Sequence, residues 1–238
     1  MRAFALTNRR PFRLILAENG RHQFGGTAWH AGIVPKGCRV PAQLLITLDL
    51  TDPLMPIENT LGVTQLPLYY PFKYGMGGAH IQYTLQSDSK LNILYVNSEP
   101  DEKESQYLQI DEFPSARMAL EPLTYEQSRI LRFCENDLYF KSSDEDRKIL
   151  KELDSPNLLI EVGGQRNFIR NAGDIICHNP RCEFFERRVY FEAVALVPAL
   201  PIGGTDAFWH EYQGTGEVTF CFGFCYYCGT VIGFNVAS

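Results

Sequence analysis

Two short segments, CHNPRC at residues 177–182 and CFGFCYYCG at residues 221–229, hold five of the seven cysteines of this 238-residue chain. Two cysteines from each segment are the candidate metal ligands: Cys177, Cys182, Cys225 and Cys228. A structural Zn²⁺ ion takes four ligands in a tetrahedron, and thiolates suit it. The sequence therefore predicts one structural zinc site that is built from two distant halves.

The second segment has the form of a zinc knuckle. Two residues separate Cys225 from Cys228, and Gly229 follows, which lets the chain reverse direction around an ion. Apolar, strand-forming residues precede and follow the segment, so we expect the knuckle at the tip of a hairpin. In the first segment, Asn179 and Pro180 supply a turn that can bring two sulfur atoms to one side. The halves are roughly forty residues apart, and a larger sheet has to bring them together.

Other metal and redox interpretations stay open at this point. Cys221 or His178 could replace one thiolate, although Cys221 alternates with phenylalanines and is typical of a buried, inert thiol. Cys225 and Cys228 could form a redox pair, but such pairs usually lie at a helix N-terminus. An iron–sulfur cluster is a further alternative. An odd number of cysteines excludes a complete disulfide set, and close pairs are typical of metal sites in reducing compartments, so we expect a cytoplasmic protein.

The apolar patterns predict an α+β fold that is β-rich and predominantly antiparallel, with a few helices. We expect strands at residues 12–17, 43–49, 79–85, 91–96, 158–162, 190–197, 217–222 and 230–235. Residues 18–37 and the proline-bearing stretch 53–67 are expected to be loops. Two helices are predicted: Thr124 and Gln127 form a capping box for the first, and Ser143 precedes three acidic residues at the start of the second.

The order of the elements suggests an internal repeat. Glycine pairs at residues 25–26 and 163–164 are each followed by an apolar strand and then by a hairpin candidate. This predicts two pseudo-repeated lobes: an N-terminal β-rich lobe at 1–120 and a C-terminal lobe at 158–238 that carries the metal site. A helical connection at 121–157 joins them. One compact domain over the whole chain is the alternative.

Charge and hydropathy exclude some classes of partner. The net charge is −6 and no cluster of Lys and Arg is present, so we expect no nucleic-acid binding. No apolar run reaches the roughly 18 residues of a membrane span, so we expect no membrane partner.

Four stretches carry a resemblance to a known family: FGG at 24–26, QLLITLDL at 43–50, VGGQRNFI at 162–169 and GEVTF at 216–220. On these motifs the chain resembles the YwqG-like family of uncharacterised proteins. The resemblance implies a β-rich, two-lobed fold and, in some members, cysteine pairs like these. It implies no established activity.

The chain lacks the common catalytic motifs: it has no G-x-S-x-G, no phosphate-binding loop and no H-E-x-x-H. Isolated candidates for acid–base chemistry are His30, His80 and His210, and Cys38 is a candidate nucleophile. Tyrosines at 69–70 and 226–227 could line a binding groove, with packing in the core as the alternative. We therefore expect a non-enzymatic, zinc-stabilised protein that binds another protein or a peptide. The alternative is a hydrolase or thiol-redox enzyme that uses the histidine- and glycine-rich loops or the cysteine cluster.

Overall fold

The computed structural model describes residues 2–7, 11–74, 80–97, 112–134, 143–153, 160–163, 175–198 and 218–237. Within these ranges the chain forms two helices, α1 (Tyr125–Cys134) and α2 (Asp144–Leu153), and thirteen strands. The strands are β1 (Phe4–Leu6), β2 (Phe12–Leu16), β3 (His22–Phe24), β4 (Gln43–Asp49), β5 (Ile57–Asn59), β6 (Gln65–Tyr70), β7 (Ile81–Ser87), β8 (Lys90–Val96), β9 (Ala116–Pro122), β10 (Ile160–Val162), β11 (Phe191–Pro198), β12 (Val218–Cys225) and β13 (Val231–Ala237).

Eleven of these strands form one antiparallel sheet. Its order is β6-β4-β3-β9-β2-β10-β11-β12-β13-β7-β8, and β1 pairs with β5 in a separate two-stranded sheet. The large sheet is curled, so that Tyr70 at the end of β6 reaches β13 and donates a hydrogen bond to Asn235 Oδ1 at 2.9 Å. The prediction of a β-rich, antiparallel fold with few helices is confirmed.

Aromatic side chains fill the space that the curl encloses. Tyr70, Phe72 and Phe220 are buried, and their ring centroids lie 4.7 to 5.0 Å apart in edge-to-face contacts. Burying each such ring contributes about 2–3 kcal/mol relative to leaving it exposed. Tyr69 is also buried, so the tyrosines at 69–70 belong to the core and line no exposed groove.

Several local predictions are confirmed. The hairpin of β7 and β8 turns at Asp88 and Ser89, as the sequence indicates. Thr124 and Gln127 form the expected capping box: the Gln127 amide donates to Thr124 Oγ1 at 3.1 Å, and the Thr124 amide donates to Gln127 Oε1 at 2.9 Å. Both interactions satisfy backbone donors that the first turn of α1 would otherwise leave unpaired.

Two stretches that were predicted to be loops contain strands. β3 lies within residues 18–37, and it forms because β4 and β9 pair with its two edges. β6 contains Pro67, which has no amide hydrogen to donate to a ladder. Proline is tolerated there because β6 is the last strand of the sheet order and needs partners on one side only.

The four C-terminal strands of the large sheet, β10 to β13, lie as one block between strands from the N-terminal part of the chain. β10 lies between β2 and β11, and the β7–β8 hairpin is attached to β13. The division into lobes and the internal repeat stay predictions, and residues 164–169 of the second glycine motif lie outside the described residues. Neither helix in the described ranges is long and apolar enough to cross a membrane.

Candidate metal centre

The second cysteine segment is a tight turn between β12 and β13. β12 ends at Cys225 and β13 begins at Val231. The Gly229 amide donates to Cys225 O at 2.8 Å, and the Cys225 amide donates to Thr230 O at 2.9 Å. The expected knuckle therefore lies at the tip of a hairpin, and these two backbone hydrogen bonds close its turn.

Gly229 is required at this turn for two independent reasons. Its φ angle is +72°, which is unfavourable for residues with a side chain. A Cβ atom at this position would also lie 2.4 Å from the backbone nitrogen of Phe4. The N-terminal segment packs this closely because the Ala3 amide donates a hydrogen bond to Cys228 O at 3.1 Å.

The first cysteine segment folds back on itself between Cys177 and Cys182. The Cys182 amide donates to Asn179 O at 2.9 Å, and the Arg181 amide donates to Asn179 Oδ1 at 3.0 Å. Asparagine supports such turns because its side chain accepts a hydrogen bond from the backbone two residues later. The Glu186 amide then closes the loop by donating to Cys177 O at 2.8 Å. As a result, the sulfur atoms of Cys177 and Cys182 both face the knuckle.

The two halves meet through sulfur contacts. Cys177 Sγ lies 3.7 Å from Cys228 Sγ, and Cys182 Sγ lies 3.9 Å from Cys225 Sγ. The four sulfur atoms all lie within 4.8 Å of one another. A tetrahedron with metal–sulfur bonds of about 2.3 Å has edges of about 3.8 Å, whereas a disulfide requires about 2.05 Å. The four cysteines that the sequence singled out are therefore positioned to hold a metal ion.

Burial and hydrogen bonds favour a cation at this position. Cys177, Cys182 and Cys225 are buried and Cys228 is partly buried. Hydrogen bonds from the thiols of Cys177 and Cys225 lower the pKa of Cys228, whereas hydrogen bonds with Cys225 and Cys228 raise the pKa of Cys177. Thiols so close together cannot all ionise on their own, and a bound cation would stabilise the four thiolates together.

Polar side chains around the sulfur atoms connect the halves. Asn179 Nδ2 donates to Thr230 Oγ1 at 2.8 Å, and Thr230 Oγ1 lies 3.1 Å from Cys228 Sγ. Both residues are buried. Asn179 was identified from the sequence only as a turn residue, and Thr230 was not identified, because a contact across 51 positions leaves no local pattern.

Neither substitute ligand lies in the cluster. Cys221 is buried in β12, and its sulfur lies 4.0 Å from Thr219 O. The His178 ring stacks on Tyr95, with ring centroids 3.8 Å apart and an angle of 12° between the planes. The side chains next to the proposed ligands thus have other contacts, and the cluster within the described residues contains four cysteines and no histidine.

The acid–base candidates lie in separate surroundings. His30 Nδ1 lies 2.8 Å from the Tyr69 hydroxyl, whereas the His80 ring contacts Tyr95 and Phe234. Cys38 is partly buried, and no described contact joins it to either histidine. His210 lies outside the described residues. The described part of the chain therefore does not assemble these candidates into one catalytic group.

Comparison with known proteins adds no functional assignment to this geometry. The YwqG-like resemblance accordingly rests on its sequence motifs alone. No protein-family model, no curated protein and no solved structure matches this chain.

Proposed function

We propose that this chain is a zinc-binding protein whose metal stabilises the fold, and that it acts by binding another protein or a peptide. The observation that carries the proposal is the position of the four thiols, which lie within 4.8 Å of one another. On its sequence motifs, we also propose that the chain is related to the YwqG-like family.

Zinc is the metal that this donor set favours. Four thiolates in a tetrahedron suit Zn²⁺ or an iron–sulfur cluster. The sulfur separations of 3.7 and 3.9 Å suit one ion at the centre, because a cluster of several iron atoms holds its thiolates farther apart. Four protein ligands also fill the coordination shell, whereas catalytic zinc sites keep one position open for water or substrate. These features support a structural role.

The knuckle carries an exposed aromatic surface that could hold a partner. We define the aromatic knuckle surface by five residues: Arg2, Phe184, Tyr190, Tyr226 and Tyr227. Tyr190 is 74% exposed and Tyr226 is 50% exposed. Their ring centroids lie 6.5 Å apart, and the Arg2 guanidinium carbon lies 4.7 Å from the centroid of the Tyr226 ring. Tyrosine and arginine are the residue types that most often dominate binding energy at protein interfaces.

A bound metal would also help to hold this surface in one conformation. The Tyr226 amide donates a hydrogen bond to Tyr190 O at 2.9 Å, and Tyr227 stacks on Phe184 with centroids 3.9 Å apart. Phe184 follows Cys182 closely, so the surface takes residues from both halves of the centre. A metal that joins the halves would therefore pre-organise the surface, which reduces the entropy cost of binding.

Elemental analysis of purified protein, together with a thiol titration, tests the metal. We expect one zinc ion per chain and four thiols that react with a disulfide reagent only after a chelator is added. A protein that carries no metal after purification, and that cannot be loaded with Zn²⁺ or Co²⁺, would contradict the proposal.

Selection from a displayed peptide library tests binding. We expect peptides that bind the zinc-loaded protein, and that bind a Tyr190→Ala/Tyr226→Ala double variant at least tenfold more weakly. Tyr125→Ala is the matched control, because Tyr125 is 78% exposed but lies at the start of α1. Peptides that bind the double variant as tightly as the native protein would remove the aromatic knuckle surface from the proposal.

A further inference from the structure

The peptide groups on both sides of Cys177 are bound by one side chain from a distant strand. Gln82 lies in β7 and is fully buried. Its Nε2 atom donates a hydrogen bond to Ile176 O at 2.6 Å, and its Oε1 atom accepts one from the His178 amide at 2.8 Å. A single carboxamide therefore supplies both a donor and an acceptor to the chain around the first candidate ligand.

This arrangement fixes the direction of the Cys177 side chain without any contact between Gln82 and a sulfur atom. The backbone of Cys177 is held as well, because its amide donates to Arg187 O at 3.2 Å and its carbonyl accepts from Glu186. Gln82 also binds the peptide groups before and after Cys177. The backbone of Cys177 therefore has little freedom to reorient, and this sets the direction of its Cα–Cβ bond.

Gln82 also connects this half of the centre to the knuckle. β7 pairs with β13, and Gln82 is opposite Ile232 in the register. Ile232 follows Cys228 by only four residues, so the strand that leaves the knuckle is hydrogen-bonded to the strand that carries Gln82. Gln82 and the β7–β13 pair thus link Cys177 to Cys228, in addition to the hydrogen bond between Asn179 and Thr230.

We propose that Gln82 is a positioning residue of the metal centre: its carboxamide orients Cys177 toward the other three thiolates and so sets how fast the centre releases its metal. This inference rests on the proposed metal site. Residues that orient ligands from outside the coordination shell typically change metal affinity by about 10–100-fold when they are mutated.

The test uses the full chain loaded with Zn²⁺ or Co²⁺ and two variants of Gln82. Gln82→Leu removes both hydrogen bonds, and we expect zinc transfer to a chelator to be about 10–100-fold faster than in the native protein. Gln82→Met keeps nearly the volume of the side chain and loses both hydrogen bonds without burying a charge, so we expect a similarly faster rate. In the Co²⁺ forms we expect the visible absorption of the tetrahedral ion to shift in both variants, because the sulfur geometry changes.

Gln43→Leu is the matched control. Gln43 is another buried glutamine on a strand of the same sheet, in β4, and it pairs with Tyr70 in β6. The same substitution there removes a buried carboxamide at a position that has no described contact with the cysteine segments. We expect an altered melting temperature with the native release rate and the native Co²⁺ spectrum.

The outcomes separate the two proposals. If the native protein binds neither metal, the metal site itself is wrong and the role of Gln82 falls with it. If the native protein binds metal and Gln82→Leu has a release rate within twofold of native and an unchanged Co²⁺ spectrum, the metal site stands and the positioning role is wrong. Should Gln82→Leu fail to fold, the near-isosteric and uncharged Gln82→Met decides by the same two measurements.

Discussion

Cys177 Sγ and Cys228 Sγ lie 3.7 Å apart although 51 positions separate the two residues along the chain. A metal ion bound between them would close a long loop that the unfolded chain leaves open. Loop closure of this length restricts the unfolded ensemble, as a disulfide of similar span does. The contact therefore predicts that metal binding and folding are coupled in this protein.

The first prediction concerns the loss of one thiolate. We expect Cys225→Ser, or removal of metal by a chelator, to lower the free energy of unfolding by at least about 3 kcal/mol, because metal binding free energy is folding free energy in such sites. For a chain of this length that corresponds to a fall of roughly 10 °C in the melting temperature. Circular dichroism during heating measures it.

Cys221→Ala is the control for this experiment. Cys221 is a buried cysteine of the same strand, β12, but it lies outside the cluster of four thiols. The Cys221→Ala variant should keep its metal and lose only the local contacts of one sulfur atom. An unchanged melting temperature of the native protein after verified metal removal would show that the site does not stabilise the fold.

The second prediction concerns the knuckle turn. Gly229 and Gly62 have nearly the same positive φ angle, +72° and +69°. A Cβ atom at residue 62 would meet nothing within 4 Å, whereas one at residue 229 would lie 2.4 Å from Phe4 N. We expect Gly62→Ala to cost about 1–2 kcal/mol through backbone strain alone. Gly229→Ala should cost clearly more and should release metal faster.

Urea unfolding of Gly229→Ala and Gly62→Ala measures the difference between their losses of unfolding free energy. Because the strain from the positive φ is common to both positions, the excess at residue 229 isolates the contact with the N-terminal segment. Equal losses of stability, with equal metal retention, would contradict a close approach between the knuckle and residues 3–4.

The third prediction is a pH dependence that is independent of the cysteines. His22 is buried, its Nδ1 accepts a hydrogen bond from the Asp49 amide at 3.0 Å, and its Nε2 lies 3.1 Å from Asp52 Oδ2. Burial lowers the pKa of His22 below 6.5, although Asp52 partly opposes the shift. Between the folded-state pKa and 6.5 the unfolded chain binds more protons than the folded one. The contribution of His22 to the free energy of unfolding is therefore fully present above pH 6.5 and is lost as the pH drops below it.

Urea unfolding between pH 7.5 and 5 measures this effect. The contribution of one histidine is at most about 1.4 kcal/mol per pH unit. His22→Gln removes the titrating ring, so the difference in stability between the native protein and the variant should vary with pH below 6.5 and be constant above it. A difference that stays constant through this range would show that His22 titrates normally in the folded protein.

Much of the local structure follows from the sequence because its causes are local. The apolar run at 43–49 becomes β4, the polar pair at 88–89 becomes a hairpin turn, and Thr124 with Gln127 caps α1. The four proposed metal ligands were also found from sequence, because thiols at close spacing followed by glycine leave a recognisable pattern. These signals involve residues that interact with near neighbours in the chain.

Only the tertiary structure decided how the pieces are joined. β3 exists because β4 and β9 supply its partners, and Pro67 lies in a strand because that strand is at the edge of the sheet. The hydrogen bonds between Gln82 and the peptide groups around Cys177 join residues more than ninety positions apart. An isolated buried glutamine in a strand looks the same in the sequence whatever it binds. The sequence by itself thus determined many of the element types and the four candidate metal ligands, and the long-range hydrogen bonds of the folded chain determined their arrangement.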